Sequence, residues 1–438
     1  GRTVALVTDL IQNNCTRKGS MLARGVFIML KKALSIGLSV ILLIMTLTAV
    51  PVNGIIEGVT EYDSAEVMKI MTNTSLTDLK AKSAILIDGT TGTVLLEKNS
   101  HDKLPIASVT KIMSMLLIME AIDKGIINYD TKVTVSEYSW SFGGSQVWLE
   151  PGEVFTVDEL LKAVAIHSAN DATVALAEAV AGSEDAFVAM MNQKARELGM
   201  NDTNFLDCTG LTDEGHYSSA YDVALMSREL LLKHPEITKY TSTWHAKFRE
   251  NVPGKDYVSL DNTNKLVRHY AGTVGLKTGY TSAAGHCLSA AAVRNGQQLI
   301  SVVLGEPDSN TRFAESRKLL DYGFANFETV MVDSMGDVVG QVSVKKGLQP
   351  VTNAVYKEDV KLLLRKGEKG KIERTVKLAE NLKAPVKSGQ KIGEVIYTLS
   401  GNEIGRADIV AASNVQRASF LRMILVLLRE WFCLGRVV

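Results

Sequence analysis

Ser108-Val109-Thr110-Lys111 sets a hydroxyl and an amine three residues apart, Ser168-Ala169-Asn170 adds a second hydroxyl and an amide, and Lys277-Thr278-Gly279 adds a second cation. Taken in order, these residues describe acyl transfer by a serine whose base is a lysine. No single motif is specific, because Ser-x-x-Lys recurs at Ser100 to Lys103, Ser343 to Lys346 and Ser388 to Lys391. The ordered set, with 60 residues from Ser108 to Ser168 and 109 more to Lys277, is specific. A serine hydroxyl needs a neighbour to take its proton, and an ordinary lysine, with a pKa of about 10.4, is protonated at neutral pH. A second cation about 4 Å away, at an effective dielectric of about 20, costs roughly 4 kcal/mol, or about three pKa units. Lys277 is the natural source of that charge, and burial of Lys111 acts in the same direction.

Each motif must be held by an element. After Pro105, the stretch from Ala107 to Gly125 has Ile112, Met115, Leu116, Met119 and Ile122 at helical spacing, which puts Ser108 in a first helical turn and Lys111 on its face. Thr156-Val157-Asp158-Glu159 is a capping box. Its helix runs to Ser168 and a second begins at Ala172, leaving Ser168 and Asn170 on a tight connection. Ser168 there could relay a proton to a leaving amine, and Asn170 could bind a substrate amide; on these residues alone helix capping is the better reading of both. Val274 to Thr281 reads as a strand, followed by a hairpin from Cys287 to Leu304 turned at Asn295-Gly296. On that strand Lys277 and Thr278 can present donors to a carboxylate. Gly279 leaves room for an extended substrate, and the backbone N–H groups of Ser108 and Tyr280 form an oxyanion hole.

With these blocks in place, the chain resembles the low-molecular-mass penicillin-binding proteins, specifically D-alanyl-D-alanine carboxypeptidases of the serine peptidase S11 type. The likeness runs from about Ala81 to Val410. It rests on Leu104-Pro105-Ile106-Ala107-Ser108, Gly143-Gly144-Ser145, Leu149-Glu150-Pro151-Gly152-Glu153, Thr209-Gly210-Leu211, His216-Tyr217-Ser218 and Gly275 to Thr281. Gly144-Ser145-Gln146 is similar to the sporulation-associated branch. The resemblance implies an α+β fold: a penicillin-binding-protein/β-lactamase-like transpeptidase domain, an antiparallel sheet flanked by helices, followed by a small all-β domain. It implies Ser108 as the acylated nucleophile, Lys111 as base and Ser168 and Asn170 as assistants. Lys277 and Thr278 then hold the terminal carboxylate of a peptidoglycan stem peptide ending in D-Ala-D-Ala. β-Lactam antibiotics become expected ligands, and no cofactor is expected. Ala169 stands where glycine is usual and Asp207 where asparagine is common, which bears on substrate preference.

A class A-like β-lactamase shares the motif set but also needs a glutamate to activate a deacylating water. Glu197-Leu198-Gly199-Met200-Asn201 offers a superficial match, although Gly199 there reads as a helix end. A non-catalytic peptidoglycan-binding scaffold is the third reading. The 438 residues carry 48 Lys+Arg and 48 Asp+Glu, a balance that gives no reason to expect nucleic acid. Four cysteines, Cys15, Cys208, Cys287 and Cys433, include no C-x-x-C pair, so no structural metal is expected, while a Cys208–Cys287 bridge stays open.

The expected domains are 1–54 (upstream segment plus signal peptide), 55–80 (linker), 81–327 (catalytic), 328–412 (β domain) and 413–438 (a membrane-anchoring amphipathic helix). Lys31-Lys32 precede an apolar run from Ala33 to Ala49, with Met29 as the expected start; an uncleaved anchor is the alternative. The strands expected in the β domain are Val330 to Val342, Val351 to Leu364, Ile372 to Leu378, Lys391 to Leu399 and Glu403 to Val410. Between Gln341 and Ser400 stand 13 Lys+Arg against 6 Asp+Glu. Arg422, Arg429 and Arg436 recur every seven residues on an apolar stretch, which suits an exported enzyme lying on the outer face of the cytoplasmic membrane.

Overall fold

The computed structural model describes residues 79–420 except 213 and 251–253, together with 422, 424 and 428. The expected signal segment, the linker up to residue 78, Cys15, Cys433 and most of the C-terminal helix lie outside the described residues. A five-stranded antiparallel sheet organises the first part: β1 (Ser83–Asp88), β2 (Val94–Lys98), β7 (Thr273–Thr281), β8 (Gly285–Arg294) and β9 (Gln297–Glu306), in the order β2-β1-β9-β8-β7. The remaining short strands of this part pair as two two-stranded antiparallel sheets, β3 (Lys132–Thr134) with β4 (Val154–Thr156) and β5 (His245–Phe248) with β6 (Val258–Asp261). β8 and β9 are apolar nearly throughout because both faces are covered. Ile85, Ile300 and Val302 face the larger core with α1 (Lys111–Asp123), α2 (Val157–Lys162), α3 (Asn170–Ala181), α4 (Glu184–Glu197) and α5 (Ala220–Lys233). Ala84, Leu86, Leu288 and Val303 face Phe313, Leu319 and Leu320 of α6 (Ser309–Asn326). β7 is an edge strand, and that leaves one of its sides for the site.

The hairpin at Asn295-Gly296 has the expected two-residue turn, with φ of 51° and 79°. The capping box at Thr156 and Glu159 is complete. One expected helix is built differently. The residues Ala107–Thr110 form a 3-10 turn before α1, entered through Ala107 at φ 48°. The other boundary shift is at α3, which starts at Asn170, so the connection is only Ser168 and Ala169.

The second part, β10 (Phe327–Asp333) to β17 (Asn402–Ala411), is all β with its own core around Val342, Ala354, Tyr397 and Ile409. β11 (Val338–Lys345), β12 (Val351–Tyr356), β14 (Ile372–Leu378), β15 (Asn381–Lys383), β16 (Lys391–Leu399) and β17 form one sheet, and β10 pairs with β13 (Val360–Arg365). The expected strand Val330 to Val342 is two strands, broken by a turn at Gly336 (φ 86°) where Asp337 accepts from Ser334 N at 3.1 Å. Val351 to Leu364 likewise divides between β12 and β13. The apolar residues that hid the first break, Met335 and Val338, are exposed. Cys208 and Cys287 are free and buried, so they form no bridge.

Candidate active site

The turn that carries Ser108 is pressed from two sides. A Cβ on Gly210 would lie 1.9 Å from Ala107 O, and one on Gly279 would lie 2.5 Å from Ile106 O and 3.1 Å from Ser108 N. Gly279 is therefore needed for β7 to close on the turn that carries Ser108, a different reason from the room for substrate expected of it. In a 3-10 turn, side chains three apart eclipse. Lys111 accordingly reaches back, and its Nζ donates to Ser108 Oγ at 3.0 Å.

Lys111 is fully buried. Its Nζ also donates to Asn170 Oδ1 at 2.6 Å and to Thr209 O at 2.8 Å. Burial pulls its pKa down to about 8, opposed by surrounding negative groups including Asp207 and Asp171. Desolvation is thus what lowers Lys111, in place of the second cation that the sequence suggested; the coupling of the two lysines is felt at Lys277. Lys277, 1 % exposed, is itself pushed well below the usual lysine range by burial and then by Lys111 and Arg312. Its Nζ donates to Thr278 O at 3.0 Å, and Thr278 Oγ1 donates to Thr263 Oγ1 at 2.7 Å. Ser168 closes the π-helical turn Ala163–His167 in the left-handed region (φ 66°), and its buried Oγ has no hydrogen-bond partner among the described residues. A buried hydroxyl without a partner is costly unless something else, such as a substrate, pairs with it. The structure thus brings Ser108, Lys111 and Asn170 into one hydrogen-bonded group, sets Lys277 within electrostatic reach of Lys111, and packs Gly279 on Ser108.

The sequence profile of D-alanyl-D-alanine carboxypeptidase matches residues 69–308, and that of the penicillin-binding protein 5 C-terminal domain matches residues 327–417. The chain belongs to the D-alanyl-D-alanine carboxypeptidase family. It is a serine peptidase of the S11 type, with the transpeptidase-like α+β fold followed by the family's β domain. It is 44% identical over 353 residues to D-alanyl-D-alanine carboxypeptidase DacF of Bacillus subtilis (strain 168), covering 80% of this chain and 90% of that one. Among solved structures, penicillin binding protein 5 from Haemophilus influenzae matches with TM-score 0.69 and 32% identity, over 77% of this chain and 98% of that one. Penicillin-Binding Protein D2 from Listeria monocytogenes, in its ampicillin-bound form, matches with TM-score 0.51 and 31% identity, over 56% of this chain and 98% of that one.

Several residues of this carboxypeptidase support the site in ways that the motifs did not assign to them. Asp207 accepts from the backbone N–H groups of Thr209, Gly210 and Thr212 at 2.7, 2.5 and 2.9 Å, which fixes the loop whose carbonyl holds Lys111. His216 and these hydrogen bonds outweigh burial and hold its carboxyl down at about 2. The departure at Asp207 therefore bears on Lys111 more than on substrate preference. His216 Nε2 lies 2.8 Å from Thr110 Oγ1, and its Nδ1 accepts from Leu206 N at 3.1 Å, tying the same loop to the Ser108 turn. Arg312, lowered to about 10 by burial, donates to Gly279 O at 3.1 Å from behind β7. These residues sit far apart in sequence, and only the fold joins them to the motifs.

Proposed function

We propose that this enzyme removes the terminal D-alanine from peptidoglycan stem peptides ending in D-Ala-D-Ala, through an acyl-enzyme on Ser108. The observation that carries the reading is Lys111 Nζ at 3.0 Å from Ser108 Oγ, on a lysine whose pKa burial brings to about 8. Neutral Lys111 takes the hydroxyl proton as Oγ attacks the carbonyl of the penultimate D-alanine. The N–H groups of Ser108 and Tyr280 receive the oxyanion, a role supported by the close approach of Gly279 to Ser108 N. Ser168 passes the proton to the departing amine, and free D-alanine leaves. Water then hydrolyses the ester and restores Ser108. Lys277 and Thr278 hold the terminal carboxylate. Asn170 fixes Lys111 and donates to Gly143 O at 2.7 Å, with the second lone pair of Oδ1 left for a substrate N–H.

β-Lactams would acylate the same serine. Glu197, the residue a β-lactamase reading would use, is paired with Lys194 at 2.9 Å on the exposed end of α4. The test is intact-protein mass after benzylpenicillin, with Ser108→Ala alongside. A penicilloyl adduct that lasts many minutes and is missing from the variant supports the proposal. A fleeting adduct with rapid drug hydrolysis would point to a β-lactamase, and no adduct to a scaffold.

The same reading places the enzyme outside the cell, on the outer face of the cytoplasmic membrane. No helix among the described residues is long and apolar enough to cross a membrane. Phe420, Ile424 and Leu428, four residues apart in sequence and each helical, are all exposed, which supports an interfacial attachment. Deleting 413–438 should release the mature enzyme from membranes, and continued sedimentation with them would count against the anchor.

A further inference from the structure

Trp148 is 59 % exposed, yet its backbone is held by buried groups on both sides. It lies at φ 53°, in the left-handed region that a bulky side chain rarely adopts. Three groups hold it there. The Asp171 carboxylate accepts from Val147 N at 3.1 Å and from Leu149 N at 3.1 Å, one residue on either side. Arg249 Nη2 donates to Trp148 O at 2.8 Å and to Glu153 Oε2 at 2.6 Å. Asp171 is 1 % exposed and Arg249 7 %, so two buried charged groups serve one surface residue. Val147 and Leu149 turn inward into the core, and the indole alone is turned out.

The same loop is tied to the catalytic group. Asn170 N donates to Ser145 O at 2.7 Å, and Asn170 Nδ2 to Gly143 O at 2.7 Å, while Asn170 Oδ1 receives Lys111. The neighbouring pair Asn170 and Asp171 therefore sets both the base and the exposed indole. Backbone strain of this kind persists only where the surroundings over-determine it, and such strain concentrates at ligand clamps. A rigid aromatic face is an efficient apolar contact because little side-chain freedom is lost on binding.

We propose that Trp148 is a substrate-contact residue, its indole packing against the aliphatic part of the stem peptide upstream of the terminal D-alanyl-D-alanine. This rests on the carboxypeptidase reading above, which assigns the carboxylate end to β7 and leaves the α3 wall with its loop for the preceding residues. The contact serves recognition of the longer substrate and leaves the bond-making groups untouched.

The experiment compares wild type with Trp148→Ala, Trp148→Gly and Trp148→Phe in the full chain. The substrates are a peptidoglycan-type pentapeptide and a blocked D-alanyl-D-alanine dipeptide, with acylation by benzylpenicillin followed in parallel. Glycine accepts the left-handed backbone, so that variant removes the ring without disturbing the loop. Trp148→Ala and Trp148→Gly should lose about ten-fold in kcat/KM on the pentapeptide, mainly through KM. On the dipeptide and on benzylpenicillin both should stay within about two-fold of wild type, and Trp148→Phe should recover most of the loss. Equal losses on both peptides, or no loss on the pentapeptide, would overturn the proposal. A wild-type enzyme that takes up benzylpenicillin but cleaves neither peptide would instead overturn the carboxypeptidase reading, and this proposal with it.

Discussion

Lys111 Nζ and Asn170 Oδ1 lie 2.6 Å apart, the shortest of the three hydrogen bonds that Lys111 donates. One amide oxygen therefore aims a buried amine at Ser108 without adding a charge. Asn170→Ala removes that acceptor and also leaves Gly143 O without its donor. Acylation by benzylpenicillin should slow about 10²-fold, in line with the roughly 1.5–3 kcal/mol of a hydrogen bond to a charged group. Asn170→Asp keeps the shape but sets a carboxylate against the ammonium, which raises the Lys111 pKa and should depress acylation most below pH 8. Stopped-flow acylation rates would check both, and an unaltered rate in Asn170→Ala would show that Lys111 is positioned by other groups.

With Lys111 at about 8, roughly one molecule in ten carries the neutral amine at pH 7, against about one in three thousand for an ordinary lysine. The acylation rate should rise about ten-fold per pH unit below that value and level off above it. Asp207 pulls this pKa upward, so Asp207→Asn should shift the rising limb to lower pH. The sign for stability follows from the same shift. The folded-state pKa is depressed, so the buried ammonium costs stability below pH 8, and the cost is relieved as pH rises from 8 towards 10.5. A Lys111→Met variant should lack that gain in denaturant titrations, and an identical pH dependence would refute the assignment.

The sequence exposed the motifs because acyl transfer, the chemistry proposed for them, needs particular residue types, and the fold brings Ser108, Lys111 and Asn170 into one hydrogen-bonded group. The hairpin at Asn295-Gly296 and the capping box at Thr156 were equally legible, since local backbone geometry demands those residues. Two features were not local. Ala107–Thr110 is wound into a 3-10 turn because Gly210 and Gly279, about 100 and 170 residues away, leave space only for that path. Trp148 sits in a left-handed conformation because Asp171 and Arg249 hold it from other elements. Periodicity carries no signal for contacts of that range.

Gly210 gives a direct test of that packing. A methyl group there would sit 1.9 Å from Ala107 O and 2.8 Å from Thr110 Oγ1, at φ 82°. Neither backbone oxygen nor turn can move without shifting Ser108. Gly210→Ala should cost about 2–6 kcal/mol, the sum expected for overpacking and for a left-handed non-glycine residue. It should also slow penicillin acylation. Chemical denaturation would measure the first effect, and a variant as stable as wild type would mean that the loop at Thr209 yields more easily than its hydrogen bonds to Asp207 suggest.

The β domain makes a contrasting prediction. Its apolar core around Val342, Tyr397 and Ile409 shares no residue with the two cores of the catalytic part. Across the junction Thr329 Oγ1 donates to Asp88 Oδ2 at 2.8 Å, a bond at the far end of β1 from the Ser108 turn's own contacts with β7. Separate cores allow separate folding. A protein ending at Asn326 should therefore keep the benzylpenicillin acylation rate within about two-fold of the longer chain, because every partner named for Ser108, Lys111 and Lys277 lies before that residue. Equal circular dichroism melting of the shortened protein, with a loss of acylation greater than ten-fold, would instead mean that β10 to β17 act on the site through the Asp88 end of β1.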